Sequence, residues 1–116
     1  MELIKSLQFL TVVSATVLAL AVSTGANAVD ADAAQALAKK NKCLRCHAVD
    51  KEKEGPTFTA IAAKYKGQPD AVAKLSKHLT SGEKAKFSDG HEEPHKIIEA
   101  DDPAEITNLV DWILSK

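Results

Sequence analysis

The chain has 116 residues, with 15 basic and 16 acidic side chains and a formal net charge of −1. It therefore lacks the basic excess of a nucleic-acid-binding domain. Aromatic residues are 4% of the chain and alanine supplies much of its apolar fraction, so the core it can build is thin. A domain of this size buries only roughly 60–65% of its unfolded surface.

The first segment reads as an export signal. Glu2 to Ser6 is a short polar stretch with Lys5, Leu7 to Val22 is an apolar run, and Ala26-Asn27-Ala28 gives a small-x-small cleavage pattern. A membrane anchor is the alternative, but the run is short for a span and a cleavage site follows it directly. Residues 1–28 are thus expected to be a secretory signal peptide, and residues 29–116 the mature domain.

Asp32-Ala33-Ala34-Gln35 resembles a capping box, and Ala34, Leu37 and Ala38 follow at helical spacing. This helix is expected to run into Cys43-Leu44-Arg45-Cys46-His47, a C-x-x-C-H sequence that reads as the attachment site of a c-type haem. Two thiols bonded to the vinyl groups would tether the macrocycle, and His47 would give its imidazole to the iron. A thioredoxin-like redox pair is the alternative for exported cysteines, but no βαβ pattern surrounds them. A zinc site with His91 or His95 needs far longer spacing than zinc fingers use, and leaves His47 beside Cys46 unexplained.

Gly55-Pro56 breaks the chain, and Thr57 to Lys66 is predicted as a short helix with Phe58, Ile61, Ala62 and Tyr65 on one face, ended by Gly67. Pro69 fits a first helical position ahead of Val72, Leu75 and Leu79. Asp102-Pro103-Ala104-Glu105 is a strong helix start for the stripe Ile106, Leu109, Val110 and Ile113, on a helix that also carries Trp112. No segment reads as a strand. Gly82 to Asp101 has no clear period and is too long for a mere connector; it holds Phe87, Ile97 and Ile98, suited to a haem face, and His91 and His95.

Charge is unevenly spread. Lys39 to Lys66 is rich in basic residues, and acids dominate from Glu83 onward. Solvated helix faces account for this; a basic rim that steers an acidic partner is the functional reading.

Over residues 29–116 the chain resembles the small bacterial class I cytochromes c. The resemblance rests on the helix leading into Cys43-x-x-Cys46-His47, on Gly55-Pro56, on Ala62-Ala63-Lys64-Tyr65-x-Gly67, on Ser81-Gly82, and on Leu109-Val110-Asp111-Trp112-Ile113. It implies an all-α cytochrome c fold, short helices wrapped around one haem c held through Cys43 and Cys46. It implies that the Pro56 carbonyl orients His47, and that Trp112 packs near the haem propionates or, equally, in the core.

The family's second iron ligand is usually a methionine before the last helix, yet the only methionine here is Met1. His78 lies on a helix ahead of that loop and reads as a surface residue. His95, counted back from Trp112, falls nearest the family's position, with Pro94 before it and Lys96-Ile97-Ile98 after; His91 is the alternative. The expected iron ligands are therefore His47 and His95.

The function implied is that of a periplasmic monohaem electron carrier, not an enzyme, of lowered potential because imidazole replaces methionine. Its partners are a redox donor and acceptor, such as a periplasmic dehydrogenase or a membrane-bound oxidoreductase. The alternative is a haem protein whose labile or open distal site binds or senses a small gas.

Overall fold

Helix α1, Ala31–Lys40, starts where Asp30 caps it, the carboxylate accepting the Ala33 N–H at 3.0 Å. Asp30 is itself pinned to the last helix: its N–H donates to Asn108 Oδ1 and its carbonyl accepts from Asn108 Nδ2, both at 2.8 Å. This long-range pair moves the cap from the expected Asp32 to Asp30. The computed structural model describes residues 28–116, so the segment read as a signal peptide lies almost wholly outside the described residues.

α1 does not run unbroken into the cysteines. It ends at Lys40, Lys42 turns left-handed (φ 58°), and a single 3₁₀ turn over Cys43–Arg45 carries the first cysteine. Helix α2 is Phe58–Tyr65, capped by the Thr57 hydroxyl, which accepts the Ala60 N–H at 3.0 Å. Helix α3 is Ala71–Thr80; it begins after Asp70 rather than at Pro69, and it buries Ala71, Leu75 and Leu79 while Val72 stays exposed. Helix α4, Pro103–Leu114, has the full capping box expected of Asp102 and Glu105.

α4 is the centre of the fold. α1, α2 and α3 all pack against it. Leu109, Val110, Trp112 and Ile113 meet Ala34, Leu37, Phe58, Leu75 and Leu79 in one core, with Phe58 set edge-on to Trp112 at 5.4 Å.

The segment expected to be irregular contains a two-stranded antiparallel hairpin, β1 (Lys84–Lys86) with β2 (Glu92–Pro94), Lys86 facing Glu92. Its strands are exposed, apart from half-buried Ala85, so no apolar alternation announced them. The signal that was present is Asp89-Gly90. Phe87 and His91 close a three-residue loop, Phe87 N–H donating to the His91 carbonyl at 2.9 Å, and Gly90 takes the left-handed position (φ 91°). The fold is thus mostly helical, as expected, with this one small sheet added.

Candidate haem site

A cavity of about 1160 Å³ opens between the 3₁₀ turn, α2, α3, the hairpin and the segment after it. It exceeds the ~300–1,000 Å³ typical of small-ligand sites. Cys43, Cys46, His47 and His95 all line it. His91 does not.

The 3₁₀ turn sets the spacing of the first three. Cys46 and His47 both donate their N–H to the Cys43 carbonyl, at 3.2 and 3.0 Å, so both thiols and the ring emerge on one side. Burial pushes the Cys43 thiol above its ordinary range; burial and then the Glu54 carboxylate do the same to Cys46.

His47 Nδ1 lies 2.7 Å from the Pro56 carbonyl oxygen. A carbonyl only accepts, so Nδ1 donates and the lone pair resides on Nε2. The loop between them is drawn in by Gly55, whose N–H donates to the Cys46 carbonyl at 2.7 Å. A Cβ on Gly55 would sit 2.6 Å from His47 Cε1, so only glycine permits this approach. Phe58 stacks on the His47 ring at 5.5 Å.

Across the cavity, His95 presents the same tautomer. Its Nδ1 is 3.0 Å from the Lys96 carbonyl, which again leaves Nε2 as the acceptor. Burial, then the neighbouring His78, holds its pKa below the ordinary histidine value. It is therefore neutral at neutral pH, the form that binds metal. The His47 and His95 ring centroids are 6.4 Å apart.

His91 is committed elsewhere. It sits at the hairpin tip, stacks on Phe87 at 4.3 Å, pairs through Nδ1 with Asp89, and has Nε2 3.4 Å from Glu93. His78, expected on the surface, instead lines the cavity beside His95, 4.2 Å between ring centroids.

One other expectation changes, and one of the two alternatives left open for Trp112 is seen. Of the residues expected on a haem face, only Phe87 lines the cavity; Ile98 is in the core and Ile97 is 56% exposed. Trp112 is buried against Phe58 and is not part of the cavity wall.

Sequence reasoning missed Asn41, Gly55's steric role, and Glu83. Asn41, 2% exposed, ties the end of α1 to the segment after His95: Oδ1 accepts the Glu99 N–H at 2.7 Å and Nδ2 donates to the Glu99 carbonyl at 3.0 Å. Glu83 accepts the His95 N–H on its carbonyl at 2.9 Å. A buried asparagine just past a helix end was the only local hint.

The wall chemistry fits a covalently attached haem. It supplies two adjacent thiols, an imidazole fixed in the ligating tautomer, and apolar surface from Phe58, Leu75, Leu109 and Ile113. The lining is net basic: Lys42, Arg45, Lys64, Lys84, Lys86 and Lys96 stand against Glu54, Glu83 and Glu93.

Comparison with known proteins agrees. The crystal structure of the class 1 cytochrome MtoD from Sideroxydans lithotrophicus ES-1 is 62% identical, with a TM-score of 0.74, over 76% of this chain and 97% of that one. Wild-type cytochrome c552 of Nitrosomonas europaea is 36% identical, with a TM-score of 0.55, over 74% of this chain and 98% of that one. Cytochrome c-551 of Pseudomonas denitrificans is 34% identical over 79 residues, which are 68% of this chain and 92% of the relative. The cytochrome c family model matches residues 31–116, and the chain belongs to that family of electron carriers, with Cys43 and Cys46 as the cysteines that attach its haem c.

Proposed function

We propose that this protein is an exported, periplasmic monohaem electron carrier whose iron is held by His47 and His95, with a potential below that of a His/Met relative. The supporting observation is the opposed pair of imidazoles. Each gives its Nδ1–H to a backbone carbonyl, and each keeps an Nε2 lone pair. Two metal–imidazole bonds of roughly 2 Å each, plus half of each ring, span about 6 Å. The two ring centroids lie 6.4 Å apart.

Bound haem supplies a one-electron couple. The chain's own residues do the rest. Cys43 and Cys46 hold the group in place. Pro56 fixes the tautomer and direction of His47, which raises its basicity. Phe87 and the hairpin cover one side of the cavity. The net basic lining favours a donor or acceptor with an acidic docking surface.

A site filled from both faces exchanges electrons and binds no further ligand. The alternative of an open, gas-binding site requires His95 to leave. Its backbone N–H bonded to Glu83 and its Nδ1 to Lys96 oppose that.

Paired variants of the holoprotein, read by electron paramagnetic resonance and optical spectra, test the ligand assignment. His95→Ala is expected to lose the wild-type low-spin signal, while His91→Ala keeps it. The reverse pattern gives the role to His91.

A further inference from the structure

A third imidazole lines the cavity. His78 stands in the last turn of α3, its side chain 32% exposed. Its ring lies 4.2 Å from that of His95, tilted by 44°. His78 Nδ1 is 2.8 Å from Glu83 Oε1. With the carboxylate ionised it can only accept, so Nδ1 donates and Nε2 carries the lone pair. The carboxylate–histidine pair is an arrangement that fixes the tautomer of metal ligands and raises their basicity.

His47, His95 and His78 thus share one Nδ1 bonding pattern and one cavity, whereas His91 does not line it and both its ring nitrogens face carboxylates, Asp89 and Glu93. Glu83 links the two neighbours. Its carboxylate holds His78 and its carbonyl accepts the His95 N–H.

We propose that His78 is a second distal ligand, taking the iron through Nε2 when His95 is lost or displaced. This rests on His95 being the resident ligand. One iron–nitrogen bond would be exchanged for another, and no electron is transferred. The movement required is about one ring width, since the centroids are only 4.2 Å apart. The backbone need not unfold, because Leu75 and Leu79 keep α3 in the core.

The test compares oxidised holoprotein of His95→Ala with that of the double variant His78→Ala/His95→Ala, by electron paramagnetic resonance and optical spectra at constant pH. His95→Ala should stay low-spin with shifted g values, and the double variant should become high-spin. A high-spin His95→Ala overturns the role of His78 and leaves His95 as the resident ligand. A His95→Ala spectrum identical to wild type overturns the resident assignment itself. A low-spin double variant also refutes the proposal, because another side chain must then be the substitute. If His95→Ala fails to load haem, His95→Gln, closer in size, is read against the same outcomes.

Discussion

Asn41 and Glu99, 58 residues apart, hold each other by two hydrogen bonds, Asn41 Oδ1 accepting the Glu99 N–H at 2.7 Å and Asn41 Nδ2 donating to the Glu99 carbonyl at 3.0 Å. The same Nδ2 reaches the Leu37 carbonyl at 3.1 Å. One buried amide therefore joins the helix that leads into the cysteines to the segment that carries His95. One residue before Glu99, the Ile98 N–H donates to the Leu79 carbonyl at 2.9 Å.

Removing this amide should both destabilise the fold and loosen the His95 side of the cavity. Asn41→Ala leaves the N–H and carbonyl of Glu99 without their side-chain partner, at a cost of about 1–3 kcal/mol. Urea denaturation of the holoprotein should show it. The reduced variant should also bind carbon monoxide more readily than wild type. An unchanged midpoint with unchanged carbon monoxide affinity would show that the link is dispensable.

Gly55 faces a different constraint, steric rather than polar. An added Cβ lies 2.6 Å from His47 Cε1 and 2.9 Å from Nδ1, so Gly55→Ala must push the ring or the loop away. The expected loss is about 1–3 kcal/mol of stability, as for other overpacked sites. Altered g values should accompany it, because His47 would lose its bond to Pro56. Wild-type spectra in a normally stable variant would count against this tight approach.

Folding should depend on the attached haem. Phe58, Leu75, Leu109 and Ile113 are core residues that also line the cavity, so their packing is incomplete without the group. A small alanine-rich core has little stability to spare. Cys43→Ala/Cys46→Ala should carry no covalent haem and should lose most of its helical circular dichroism. A cooperative melt at the holoprotein's temperature would refute this.

The hairpin tip should respond to pH through His91 and Asp89. The side-chain bond to Asp89 raises the pKa of His91 above its ordinary 6.5. That stabilisation is fully present below 6.5 and is lost as pH rises through the folded value. The His91 backbone N–H, donating to Asp89 Oδ1 at 3.0 Å, is the main cause lowering the Asp89 pKa below 3.8. Its share is present above 3.8 and is lost as pH falls through the folded value. Hydrogen-exchange protection of the Phe87 and Gly90 amides, corrected for intrinsic rate, should be greater at about pH 5 than at about pH 8. His91→Ala should remove that difference. Protection that is flat with pH in the wild type would dismiss the pair as a latch.

Much of this protein is legible without its fold, because the signals are local. C-x-x-C-H fixes the attachment chemistry within five residues. Asp102-Pro103-Ala104-Glu105 starts α4 through bonds that span a single turn, and the faces of α1 and α4 follow from helical spacing. His95 was preferred by position alone, its distance from Trp112. Tertiary structure decided what spacing cannot carry. Asp30 became the cap of α1 because Asn108, 78 residues away, holds it. The hairpin left no periodic trace because solvent bathes most of its side chains. His78 passed for a surface residue because its neighbours His95 and Glu83 come from beyond its own helix. Which imidazoles share a cavity with His47 depends on where Asn41, Leu79 and Glu83 anchor residues 95–99, and those contacts exist only once the helices have packed on α4.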